Sequence, residues 1–184
     1  SQRFIEVNIQ NLAAVPSIVY GILGLAVFAR ALALGQSVIT AALTLALLVL
    51  PVIIISTREA LRAVPRNIRD GSLALGATEW QTAYRQTLPA AIPGIATGTI
   101  LALSRAIGEA APLLLLGAVS FITFNPDGVL SDYTTLPIQI FNWTKDSREE
   151  FQVLAAATIV VLLLILLAMN FVAIWIRNKT QKRW

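Results

Sequence analysis

Two ionisable residues stand inside an apolar stretch of this 184-residue chain: Arg105 and Glu109, between Leu101 and the run of leucines from Leu113 to Leu116. Their i, i+4 spacing predicts that they share one helix face and reach each other. If the hydrocarbon begins near Ala96, Arg105 lies roughly 14 Å in and Glu109 roughly 20 Å in at 1.5 Å per residue. Both depths fall near the middle of a core roughly 30 Å thick, where a charge costs about 2.5–3.5 kcal/mol on insertion scales. Two readings account for the pair. Either the charges only neutralise each other, or their face lines a path for an anion. In the second reading the guanidinium offers forked donors to phosphate or carboxylate oxygens, and Glu109 keeps Arg105 from trapping the anion. Gly94, Gly98, Ala102 and Ala106 recur every four residues before the pair, a spacing that lets another helix approach closely. Gly108 and Pro112 fit either a kink that a gate uses or a simple packing irregularity.

The composition says what must hold these residues. Hydrophobic residues make up 57% of the chain and charged residues 13%, about half the charged fraction of a soluble domain. Histidine and cysteine are both absent. That excludes thiolate chemistry, disulfides, a histidine general base and the usual zinc sites. The net charge of +4 is spread over clusters separated by long apolar stretches, not gathered into the stripe of a nucleic-acid binder. An all-α integral membrane protein follows, working by shape, helix packing and a few placed charges.

Four stretches are long and apolar enough to cross a bilayer as helices: residues 12–34, 38–56, 89–119 and 151–176. Pro16, Gly21 and Gly24 lie inside the first. The third is too long for one perpendicular crossing, which places its first turns, around Pro89 and Pro93, in the interface. The segment 57–87 carries Arg58, Arg62, Arg66, Arg69 and Arg85, and the tail after Ile176 carries Arg177, Lys179, Lys182 and Arg183. The segment 120–150 instead carries five acidic residues against Lys145 and Arg148. The preference of basic loops for the cytoplasmic side predicts an extracytoplasmic loop at 120–150 and both termini inside. In that loop the stretch 136–143 is amphipathic and suits a surface helix, but a partly ordered connector is the favoured reading.

The basic segment between the second and third stretches is the most informative. Pro65 suits the first turn of a helix, so a short helix is predicted from Arg66 to about Leu75. Gly76 follows as a residue able to take positive φ. Thr78 to Gln81 matches a capping box and starts a second helix near Glu79, predicted to end by Thr87 because Leu88-Pro89 disfavours continuation. Such a helix–hinge–helix knuckle either docks on another protein and passes a push into the flanking spans, or merely covers the membrane boundary.

Here the sequence resembles a known family. Permease subunits of bacterial ABC importers carry a motif EAA-x3-G-x9-I-x-LP that forms a coupling helix. The corresponding residues are Asp70, Gly71 and Ser72, then Gly76, then Leu88 and Pro89 nine residues and more downstream. The two alanines have become Gly71 and Ser72, and the isoleucine Gln86; Gly71 weakens the helix by about 1 kcal/mol relative to Ala. The stretches NLAAVPSIVYG (11–21), RAIGEAAP (105–112) and LPIQI (136–140), with Glu149-Glu150-Phe151, narrow the resemblance to the A-type permease subunit of phosphate-specific ABC importers. The resemblance covers nearly the whole chain. It implies a type I, MetI-like transmembrane domain over residues 1–184, with four spans and without the family's first two, so a fragment is expected. It further implies a coupling-helix loop at 57–88 and a substrate pathway through Arg105 and Glu109.

The chain has no G-x-x-x-x-G-K-S/T phosphate loop, and the 120–150 loop is too short to capture substrate. The resemblance supplies the missing parts: a second homologous permease, two ATPase subunits carrying Mg-ATP, and an extracytoplasmic phosphate-binding protein, with no cofactor or metal on this chain. The expected function is passage of inorganic phosphate across the inner membrane, with no enzymatic activity of its own. The residues alone leave open another oxyanion such as sulfate or molybdate, and an ATPase-independent carrier in which Glu109 couples transport. A non-transporting scaffold leaves the two buried charges unexplained.

Overall fold

A computed structural model describes residues 2–117 and 125–180, and the regular elements among them are helices. Helix α1 (Gln2–Ala13) is followed by α2 (Ser17–Gly24), which continues as a π-helical segment, Leu25–Ala31. Helix α3 (Val38–Arg62) leads into the short α4 (Arg66–Ala74) and α5 (Glu79–Thr82), with a π-helical turn at Ala83–Thr87. Then come α6 (Leu88–Ile107), α7 (Ala111–Leu115), α8 (Leu136–Lys145) and α9 (Glu149–Thr180).

Three helices are long and apolar enough to cross a membrane: Val38–Arg62, Glu79–Ile107 and Glu149–Lys179. The first expected span is different. Residues 12–34 do not form one helix, because the chain bends by 93° between Phe4–Ala13 and Ser17–Ala31. Pro16 causes the bend: its ring pushes the preceding residue out of the helical region. The Leu12 carbonyl, which Pro16 cannot serve as an α-helical donor, accepts from the Val15 N–H at 3.2 Å and from the Tyr20 hydroxyl at 2.8 Å. The arm beyond the bend rises only roughly 22 Å at 1.5 Å per residue, so four spans are present only if the bent pair counts as one.

The second correction concerns Leu88-Pro89, which does not end the second knuckle helix. The backbone stays helical from Glu79 to Ile107. A proline ring inside a helix collides with the carbonyl four residues back. Here the π-helical turn at Ala83–Thr87 widens the helix over that region, so Pro89 falls in the first turn of resumed α-helix, where its missing N–H leaves nothing unpaired.

The stripe of small residues on α6 faces α3. A Cβ on Gly94 would stand 2.8 Å from the Ala60 Cβ, and one on Gly98 would stand 2.5 Å from the Ser56 Cβ. Farther along the same seam, Ala102 and Ala106 are buried with Tyr20, Leu48 and Val49. Hydroxyls in the apolar helices bond to their own backbone: Thr44 to the Thr40 carbonyl, Thr97 to Pro93 and Ser104 to Ile100, at 2.8–2.9 Å. They therefore carry no unpaired donor into lipid.

At the end away from the knuckle, residues 125–150 are more ordered than a connector. Carbonyls of Ser131 and Val129 accept from the N–H groups of Val38 and Ile39 at 3.0 and 2.8 Å, capping the start of α3. The 136–143 stretch is the helix α8, and its Ile138 is fully buried in a cluster with Ala41, Leu113, Leu116 and Tyr133. Burial pushes the Tyr133 phenol up to about 12, and its hydroxyl has no partner. The expected end of the third stretch at Val119 and residues 120–124 lie outside the described residues, as do Lys182 and Arg183. Helix α9 packs on α6 and α8 and leaves most of its apolar surface uncovered.

Candidate functional site

The Arg105–Glu109 pair forms, but not on one helix. Helix α6 ends at Ile107, and residues 108–110 are not helical. The i, i+4 geometry expected for a continuous helix is therefore broken, and Glu109 reaches back from beyond the helix end. Its Oε1 accepts from Arg105 Nε at 3.5 Å. The Arg105 side chain is 55% exposed and that of Glu109 18%. The arginine is thus the member presented outward, and the glutamate is the sheltered counter-charge.

The reason for the break lies in the local sequence. Gly108 has low helix propensity, and Pro112 has no N–H with which to continue an α-helical ladder. Pro112 opens α7 instead, where the missing donor is harmless. Across the gap, the Gly108 N–H donates to the Arg105 carbonyl at 3.1 Å, and the Glu109 N–H to Ala106 at 3.2 Å. Both expected kink residues, Gly108 and Pro112, flank this interruption. Arg105, Glu109, Gly108 and Pro112 are therefore brought together.

The expected coupling residues lie elsewhere. Asp70, Gly71 and Ser72 are on α4, Gly76 is the hinge, and Leu88 and Pro89 open α6. Leu88 is roughly 26 Å from Arg105 along the helix at 1.5 Å per residue. The knuckle is closed by specific bonds. Gly76 takes φ +83°, the left-handed conformation that L side chains resist. The Thr78 side chain accepts from the Gln81 N–H at 3.2 Å, and the Gln81 side chain accepts from the Thr78 N–H at 2.9 Å, which completes the capping box.

Two further contacts were not readable from local spacing. Thr82 Oγ1 donates to Ser72 Oγ at 2.9 Å, joining α4 to α5 across the hinge. Arg69 Nη2 donates to the Leu61 carbonyl at 2.7 Å, satisfying a last-turn carbonyl of α3. Sequence position alone gave Arg69 only a topological role. Arg58 also pairs with Glu6 of α1. The knuckle holds an open cleft of about 410 Å³ lined by Ile68, Ser72, Leu75, Gln81, Arg85 and Gln86. Beside it Leu75 is 90% exposed and Trp80 77%. Large apolar side chains exposed together at a polar, basic knuckle are the kind that contact another protein.

At the turn between α8 and α9, Arg148 holds Asp146 in a fork, Nε to Oδ1 at 3.0 Å and Nη2 to Oδ2 at 2.8 Å. These hydrogen bonds lower the Asp146 carboxyl to about 2. The Arg148 guanidinium also lies 4.0 Å from the Phe151 ring centroid. The turn therefore fixes the direction in which α9 departs.

The family described as "Binding-protein-dependent transport system inner membrane component" matches residues 1–182. The chain is 34% identical over 192 residues to the probable ABC transporter permease protein YqgI of Bacillus subtilis (strain 168), covering 98% of this chain and 65% of that protein. It is 32% identical over 181 residues to the phosphate transport system permease protein PstA 1 of Mycobacterium tuberculosis (strain CDC 1551 / Oshkosh), covering 98% and 59%. It is 34% identical over 131 residues to the phosphate transport system permease protein PstA of Yersinia pestis, covering 71% and 44%. The chain thus spans less than two thirds of the length of these relatives. No solved structure matches it.

Proposed function

The chain belongs to the family of binding-protein-dependent transport system inner membrane components, and from that premise we propose that it is part of the transmembrane permease of an ATP-driven importer of inorganic phosphate. The protein sits in the bacterial inner membrane with the knuckle and C-terminus cytoplasmic and the 120–150 loop outside. It works beside a second homologous permease, two ATPase subunits and an extracytoplasmic phosphate-binding protein. The names of its relatives support the cargo, and the basic residues of the knuckle and tail support the orientation. Mg-ATP belongs to the ATPase subunits, since this chain has no phosphate loop to hold it. The chain itself is a transport subunit and not an enzyme.

The observation that carries this reading is the half-exposed Arg105 backed by a sheltered Glu109 at a helix break. A guanidinium presents rigid paired donors to an oxyanion. Transport requires the anion to enter and also to leave. The carboxylate 3.5 Å from Nε offsets part of the attraction, so phosphate is drawn in without being held.

The knuckle supplies the connection to the ATPase subunits through Asp70, Gly71, Ser72 and Gly76. The Ser72–Thr82 bond joins α4 to α5, and α5 runs without interruption into α6. A displacement of the knuckle therefore travels along one helix, roughly 40 Å at 1.5 Å per residue, and ends at Arg105. Leu88 and Pro89 lie on that lever.

The test is uptake of labelled phosphate by the full-length protein in its assembled transporter. Arg105→Gln is expected to lower uptake about 100-fold while the complex still purifies intact. Unchanged uptake contradicts the pathway role. Competition by sulfate or molybdate as strong as by unlabelled phosphate would reassign the cargo.

A further inference from the structure

Helix α2 packs on α7 and shares a buried cluster with α6. On the arginine side, Tyr20 is buried in one cluster with Leu48, Val49, Ala102 and Ala106, the last two flanking Arg105 on α6. Its hydroxyl, bonded to the Leu12 carbonyl, ties the same residue to the Pro16 bend. On the glutamate side, the next residue, Gly21, leaves no space for a side chain. A Cβ there would stand 2.7 Å from Pro112 Cα, 2.9 Å from the Pro112 carbonyl oxygen and 3.2 Å from Leu115 Cδ1. The two nearest atoms are backbone, so they cannot turn aside as a side chain tip can. Adding one methyl group must move α7 as a body.

Pro112 lies three residues after Glu109; the Gly108 and Glu109 N–H groups bond back to α6, and the Ala110 carbonyl accepts from the Leu114 N–H at 3.0 Å, tying the segment that carries Glu109 to α7. The position of Glu109 relative to Arg105 therefore depends on what holds α7, and the backbone approach at Gly21 is one such contact. We infer that Gly21 is a positioning residue: by letting α2 meet the Pro112 backbone, it sets where Glu109 stands against Arg105 and so how strongly the guanidinium is offset. This rests on reading the pair as the pathway site. It extends that reading to a residue that touches neither the pair nor the anion.

The test separates position from transport. The 184 residues contain no cysteine, so Ala110→Cys, next to the intact pair, is a clean probe once the remainder of the full-length protein is also free of thiols. In the assembled transporter, Gly21→Ala is expected to change the rate at which a charged methanethiosulfonate reagent modifies Ala110→Cys severalfold. The rate at Val153→Cys, exposed on α9, should stay the same. Adding Leu115→Ala to Gly21→Ala should not restore the rate, because the clash is with backbone. Phosphate uptake by Gly21→Ala alone should fall about tenfold, with KM altered as well as Vmax. An Ala110→Cys rate that Gly21→Ala leaves unchanged overturns the inference. If Gly21→Ala does not assemble, the same two labelling rates are read on the separately purified full-length subunit, with Val153→Cys as the control for folding; an unchanged Ala110→Cys rate there overturns the inference equally. Normal uptake by Arg105→Gln together with a shifted labelling rate would remove the pathway reading and leave the positioning role standing.

Discussion

Between α4 and α7 the helical path is interrupted twice, at the Gly76 hinge and at residues 108–110, and the two interruptions are held in different ways. At the hinge a complete capping box fixes the start of α5, the Ser72–Thr82 bond joins α4 to α5, and Arg69 ties α4 to the last turn of α3. At the break Gly108 and Glu109 bond back to α6 at 3.1–3.2 Å, Ala110 accepts from Leu114 of α7 at 3.0 Å, and the ion pair stands at 3.5 Å. The first arrangement moves as one piece. The second changes angle at low cost. A displacement that enters at the knuckle is therefore carried along Glu79–Ile107 and spent where Arg105 meets Glu109.

The sharpest way to break this contrast is at Gly76. Its φ of +83° is unfavourable for an L side chain, while a Cβ there would meet open space. Gly76→Val is expected to cost about 2 kcal/mol through backbone strain alone and to lower the melting midpoint of the purified assembly. Gly76→Asn should cost less than half of that, since asparagine tolerates this conformation. Equal losses would mean that space and not conformation decides the hinge. A smaller effect is expected from Thr82→Val, which removes the bond to Ser72. It should cost about 1 kcal/mol in the same melting measurement and weaken the dependence of uptake on ATP hydrolysis. Full coupling in this variant would show that α4 and α5 do not need the bond to move together.

Much of this contrast is legible in the sequence because its parts are local. The capping box needs only Thr78 and Gln81 three residues apart, and the hinge only a glycine after a helical run. The close approach of α6 to α3 follows from four small residues at a four-residue period. What escaped the sequence depends on distant partners. Nothing near Arg69 announces that it caps Leu61, and nothing near Val38 announces carbonyls from Val129 and Ser131. Pro16 and Pro89 show the limit most clearly. Both are prolines within apolar stretches. One bends the chain by 93° and the other is absorbed by a π-helical turn; the residue type alone does not distinguish these outcomes. At the site, the pairing of Arg105 with Glu109 was legible from their spacing. The end of the helix between them was not, since it arises from Gly108 and Pro112 together with the packing of α7.

The smallest predicted effect lies at the α8–α9 turn, outside both interruptions. Hydrogen bonds from Arg148 depress the Asp146 carboxyl to about 2. A depressed carboxyl contributes stability above its ordinary value and loses it as pH falls through the depressed one. Wild type should therefore hold a small melting advantage over Asp146→Asn at neutral pH, which disappears as the pH approaches about 2. The pair lies at the surface, with Arg148 exposed and Asp146 partly so, and the advantage is slight and salt-sensitive. An advantage that persists below that pH would point to a contact other than the ion pair.

The central claim is that Glu109 offsets Arg105 so that phosphate is attracted and released. Glu109→Gln in the assembled full-length transporter tests it most directly, with labelled-phosphate uptake measured across substrate concentrations. Removing the counter-charge while keeping the shape should lower KM, because the anion is held more tightly, and lower Vmax, because it leaves more slowly. KM and Vmax both equal to wild type would contradict the account.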